Sequence, residues 1–162
     1  MNAETIVALS TPPGTSGLAV VRLSGPGCAA VARAFLGRSA WTPRMLHVAA
    51  FRDPADPAGE NAAPLDRLAF HVLPGPGSPT GEDVLELFPH GNPLLVETMV
   101  RALLRADIPG GIRMAGPGEF TRRAFENGRI DLVQAEGVAA LVHAGTLAAL
   151  RNARRLLDGE LS

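Results

Sequence analysis

No lysine occurs in this chain; all 15 basic residues are arginine. Codon bias toward arginine is the plain explanation, and the chemical consequence holds whatever the cause. A phosphate-loop lysine and a Schiff-base lysine are excluded, and no G-x-x-x-x-G-K-[ST] run is present, so no nucleotide is bound through that motif. Cysteine is nearly absent. Cys28 stands alone, which rules out an intrachain disulfide and a cysteine-based zinc site and fits a reducing cytosol. A charge excess is also missing: the 15 basic and 16 acidic residues leave a net charge of -1. That balance gives no electrostatic case for general nucleic-acid binding, although it leaves room for a small basic patch. Long apolar runs are lacking. The first, Ile6 to Leu9, is too short for a signal peptide and follows no basic segment, and nothing approaches the roughly 20 residues of a membrane span. The expectation is a soluble, cytoplasmic protein with no membrane partner.

What is present is globular. The chain has 162 residues, 46% hydrophobic and 19% charged, enough for one domain with a core, or one domain and a fragment of another. Thr5 to Leu9 reads as a short buried strand, followed by a turn-rich loop from Ser10 to Gly17. Leu18 to Leu23 reads as a second strand, with Arg22 set into it. Gly25-Pro26-Gly27 ends that strand, and a helix runs to about Leu36, stopped by Gly37. Met45 to Phe51 and Leu65 to Val72 are strand candidates, separated by an exposed Pro/Ala/Asp/Gly loop over 53–64. Asp83 to Phe88 is a further strand. Asn92 is a good N-cap and Pro93 suits the first helical position, so a helix runs to about Ala106. Ile112 to Met114 is a short strand, and a short helix through Phe125 follows Gly116-Pro117-Gly118. The pattern predicts an α/β fold: a mixed sheet with flanking helices.

The last segment differs in kind. Asp131 to Gln134 reads as a capping box, and no proline follows. One helix from Asp131 to about Leu157 would be about 40 Å long at about 1.5 Å per residue. Its first half, Val138 to Val142, is apolar nearly all round and needs partners on several sides. A second chain, or sequence after Ser162, would supply them.

Three polar stretches carry chemistry. In the first, Arg22 is a permanent charge in an apolar strand, and burying it unpaired is costly. It reads as a buried ion pair, an edge position or an anion contact. In the second, Thr80 to Pro93, strand alternation puts Glu82, Val84, Glu86 and Phe88 on one face. Glu86 then sits among apolar neighbours and needs a donor from an arginine or a ligand. A metal site from Glu82, Glu86 and His90 lacks any established ligand spacing, and His90 reads rather as a structural loop histidine. In the third, Gly116 to Val142, Arg122, Arg123 and Arg129 read as a solvated basic face, with Asn127-Gly128 a turn and Arg129 able to point back from a hinge.

Taken in order, TPPGxxGLAVVRLSG, SPTGEDVLELFPHGNP and AGPGEFTRRAFENGRIDLVQAEGVAALV resemble the N-terminal part of the tRNA-modification GTPase family called MnmE or TrmE. The resemblance covers nearly the whole chain except residues 37–64. It implies that residues 1–118 form the family's folate-binding α/β domain, similar to the folate-binding domains of one-carbon enzymes. Residues 119–162 then begin a helical domain and its long helix, with the GTPase domain absent. The chain would accordingly be a single-domain piece, a truncated gene product or a degenerate paralogue. GTP, Mg and K belong to the GTPase domain, so the chain by itself is not expected to hydrolyse GTP.

The resemblance further implies binding of 5-formyltetrahydrofolate or a related tetrahydrofolate, a homodimer, and work with a flavin-dependent partner protein on the wobble uridine of certain tRNAs, which the module would meet only indirectly. The family's folate site uses the arginine of VR[IL]SG, the glutamate of GEDVxE and the basic residue of NGKLDL. These fall on Arg22, Glu86 and Arg129. The third is usually lysine, and arginine keeps the charge while changing reach and geometry. The chain also departs from the family at Pro79, usually aromatic, at Phe88-Pro89, usually more polar, and at Asn92, usually glycine. The rival readings are a ligand-free structural dimerisation domain and an autonomous one-carbon transferase.

Overall fold

The computed structural model describes residues 4–56 and 63–159. Part of the loop expected over 53–64 lies outside them. The chain divides into two units, residues 1–78 with Glu82–Ala115, and Pro79–Gly81 with residues 116–162.

The first unit is a mixed six-stranded sheet with two helices. Its elements are β1 (Thr5–Leu9), β2 (Val21–Ser24), α1 (Cys28–Leu36), β3 (His47–Phe51), β4 (Asp66–Leu73), β5 (Val84–Phe88), α2 (Pro93–Arg105) and β6 (Ile112–Met114). The strand order is β3-β4-β5-β2-β1-β6. Every neighbouring pair is antiparallel except β1 with β6. Period-two alternation sends Val7, Val21, Leu23, Leu68, Phe70, Val72, Leu85 and Leu87 to one side, where they meet Val31, Phe35 and Leu36 of α1 and Val96, Met99 and Leu103 of α2. Phe35 stacks on Phe51 at 5.1 Å between centroids. The helices start and stop as their sequences dictate. The Asn92 side chain accepts from the amides of Leu94 and Leu95, and Gly37 closes α1 in the left-handed conformation at φ 60°.

β4 and β5 begin within one residue of the expected starts, and β2 and β3 begin later than that. Ala19 N still bonds Pro89 O in the β2–β5 register, but Pro89 has no N–H to return the bond, and Val20 N is taken by Thr11 Oγ1, so regular pairing of β2 starts at Val21. Arg44, at φ 63°, and the turn hydrogen bond from Met45 N to Thr42 O delay β3 to His47.

The second unit is helical: α3 (Glu119–Glu126), α4 (Leu132–His143) and α5 (Leu147–Leu157). The expected single helix from Asp131 to Leu157 is therefore two. Ala144 ends the first, and Thr146 caps the second by accepting from Ala149 N at 3.1 Å. The two lie antiparallel, since Gln134 Nε2 near the start of α4 donates to Leu157 O at the end of α5. A Cβ on Gly137 would stand 3.0 Å from Leu156 Cβ and from Leu157 N, a tight contact that a side chain there would relieve only by pushing α5 back. The capping box is present, with Asp131 and Gln134 bonding reciprocally. The basic face expected from Arg122, Arg123 and Arg129 loses one member: Arg122 and Arg129 are exposed, whereas Arg123 is buried and donates to Glu119 Oε1 at 3.2 Å. Among the described residues no helix is long and apolar enough to cross a membrane.

Candidate functional site

The two motifs that the sequence separates by about sixty residues meet in the first unit. Ser16 N donates to Gly91 O at 2.9 Å, and Ala19 N to Pro89 O at 2.9 Å. Further along the same two chain segments, the register sets Arg22 of β2 opposite Glu86 of β5, and on the next strand His71 of β4 stands opposite Glu86. Directly opposite residues bring their Cβ atoms to roughly 5 Å, close enough for side chains to bridge. They do. Arg22 Nε donates to Glu86 Oε1 at 2.6 Å, and His71 Nε2 lies 2.6 Å from Glu86 Oε2. An ionised carboxylate only accepts, so this contact assigns the His71 proton to Nε2. The His71 ring meets Phe88 edge to face, with centroids 5.3 Å apart and planes at 83°. The Glu86 side chain is 11% exposed, His71 23% and Arg22 33%. The carboxylate is thus largely withdrawn from water between two donors.

Of the three residues expected at a folate site, the structure brings Arg22 and Glu86 together. Arg129 belongs to the second unit. There its stem lies beside Gly81, at φ +79°, where a Cβ would stand 3.2 Å from Arg129 Cγ and 2.7 Å from Asn127 Cβ. Asn127 Nδ2 donates to Thr80 O at 2.8 Å, so Asn127 anchors the 79–81 segment as well as turning the chain. Pro12, Pro13 and Gly14 line an apolar cavity of about 260 Å³ with Val96 and Val100 of α2, and neither Arg22 nor Glu86 is among its lining residues.

The three residues of the metal alternative take separate partners. Glu82 Oε2 accepts from Ser24 Oγ at 2.8 Å, Glu86 takes Arg22 and His71, and His90 turns to Asp66. No group of three or more His, Cys, Asp or Glu able to hold a metal ion is found among the described residues. Asp66 accepts from the His90 amide at 3.0 Å, the His90 ring at 2.9 Å and the Arg67 amide at 2.8 Å. Burial pushes its carboxyl up, but these donors and the His90 charge outweigh burial and hold it below the ordinary 3.8. Burial pushes the Cys28 thiol up to about 12, which makes it an inert core residue.

The residue that the sequence reading missed is His71. Strand alternation in Arg67-Leu68-Ala69-Phe70-His71-Val72 places it on the face away from the core, which was legible. The register that lays it against Glu86 was not.

A family model described as GTP-binding protein TrmE N-terminus matches residues 5–129. The chain belongs to this family. Proteins named tRNA modification GTPase MnmE are similar along nearly its whole length. The protein from Parvibaculum lavamentivorans is 49% identical over 98% of this chain and 34% of its own. The Ralstonia nicotianae protein is 46% identical over 97% and 32%, and that of Bordetella avium 45% over 99% and 34%. The chain spans about a third of the length of these MnmE relatives and corresponds to their N-terminal domain.

Proposed function

We propose that this chain is a folate-binding and homodimerisation module, taking 5-formyltetrahydrofolate or a related tetrahydrofolate, and that Glu86, Arg22 and Arg129 are its ligand contacts. The observation that carries this reading is the Glu86 carboxylate, held in a fixed orientation on the sheet face away from α1 and α2. A pterin presents adjacent N–H donors on its pyrimidine ring, and a carboxylate can accept two side by side. Each carboxylate oxygen has two acceptor positions. The contacts to Arg22 and His71 therefore leave one on each oxygen, and the residues fit the group. Arg22 and Arg129 suit the carbonyl and carboxylate oxygens of the ligand. Within the longer protein, the module would serve tRNA wobble-uridine modification together with a GTPase domain and a flavin-dependent partner. GTP hydrolysis is not assigned to the chain itself, which has no phosphate loop.

A second reading is favoured by one observation. Both Glu86 oxygens already have protein donors at 2.6 Å, as a structural ion pair in a ligand-free dimerisation domain would. Calorimetry with 5-formyltetrahydrofolate on the wild type and on Glu86→Ala separates the two. The folate reading expects binding that weakens at least tenfold in the variant. Equal affinity, or no binding to either, leaves the structural reading standing.

A further inference from the structure

The row Arg22, Glu86, His71 contains one member that no motif assigns. We propose that His71 is a positioning residue of the Glu86 site, holding Oε2 while Arg22 holds Oε1, so that the carboxylate plane is fixed for a ligand with paired N–H donors. The inference rests on the folate reading and goes beyond it by naming what orients the acceptor.

An arginine alone can grip both oxygens of a carboxylate in a fork. Here the grip is divided: Arg22 reaches Oε1 from β2 through Nε, and His71 reaches Oε2 from β4 on the other flank. A clamp from two strands stops rotation about the last torsion of Glu86, which is otherwise broad and roughly two-fold. His71 is itself held edge to face by Phe88, which lies two residues beyond Glu86 on the same face of β5. A ligand with two adjacent donors needs both oxygens in its plane, so it gains from this arrangement. A ligand with one donor at that edge gains little.

The test is calorimetry on the full chain, using 5-formyltetrahydrofolate and a tetrahydrofolate analogue lacking the 2-amino group. His71→Leu removes the donor. His71→Gln restores an N–H at similar reach. The expected result is a loss of about tenfold to a hundredfold for 5-formyltetrahydrofolate in His71→Leu, as for one lost hydrogen bond to a charged group. His71→Gln should stay within about threefold of wild type. The preference for the ligand with paired donors should shrink in the leucine variant and return in the glutamine variant, and a merely structural role would not produce that pattern. Thermal melting of each variant checks the fold. If His71→Leu does not fold, His71→Asn, too short to reach Oε2, takes its place against glutamine. Wild-type binding with unchanged affinity and preference in these variants overturns the inference and leaves the folate reading intact. Absence of wild-type binding overturns both.

Discussion

At the scale of single residues, charge placement on the sheet face is governed by pairing across strands. Asp66 shows it outside the Glu86 row. It opens β4, yet it receives the amide and ring of His90 and so ties the β5–α2 loop back to the sheet. Its carboxyl titrates below 3.8 in the folded chain and near 3.8 in the unfolded one. The unfolded state therefore binds the proton more tightly. The stability supplied by Asp66 is fully present above about pH 5 and is lost as the pH falls through 3.8 toward the folded value. Asp66→Asn turns an acceptor into an N–H facing donors, so it should cost about 1–3 kcal/mol at pH 7. Urea unfolding of both proteins from pH 7 to pH 3 should show that gap closing below about pH 4. A gap that stays constant across the range would mean that the charge on Asp66 contributes nothing.

Elements were legible where a local rule decides them. The Asn92-Pro93 start of α2, the Gly37 stop of α1 and the Asp131 capping box all follow from side chains acting within one turn. Arg22 and Glu86 were legible as residue types in need of partners, because a charge in an apolar strand requires one. What was not legible depends on contacts distant in sequence. Strand register brought His71 to Glu86, and the pairing of α4 with α5 decided that the last segment is a hairpin. The local signals at the break are Gly145 and the N-cap residue Thr146, which interrupt a helical pattern far less firmly than a proline does. The close approach at Gly137 makes the hairpin testable. Glycine within a helix is ordinarily a cost of about 1 kcal/mol relative to alanine, so a side chain here should help unless α5 is in the way. Gly137→Leu should instead destabilise by about 1–3 kcal/mol through overpacking, while Gly145→Ala, with nothing within 4 Å of its added carbon, should be close to neutral. Circular dichroism through urea unfolding measures both. A Gly137→Leu variant as stable as wild type would show that α4 and α5 do not pack through this face.

At the scale of the whole molecule, each unit leaves apolar side chains in water. In the first, Leu94 is 72% exposed beside the helix face whose Val96 and Val100 line the 260 Å³ cavity. In the second, Val142 is 76% and Leu132 60% exposed, and both line an apolar cavity of about 410 Å³ with Phe125 and Ala139. Scattered exposed leucines are ordinary, but contiguous apolar patches mark surfaces that another surface covers. A second copy can cover such a patch with its own, because a two-fold interface is self-complementary. This is the physical support for the homodimer proposed above, and it makes two faces candidates. Sedimentation equilibrium at micromolar concentration should return about twice the 16.9 kDa of one chain. A glutamate placed at the centre of the interface would bury an unpaired charge in the dimer, a cost of several kcal/mol that is absent in the monomer. One of Leu94→Glu and Val142→Glu should therefore return the mass to that of a single chain while the other leaves it doubled, and the pair assigns the face. A wild-type mass of one chain at that concentration would overturn the homodimer outright.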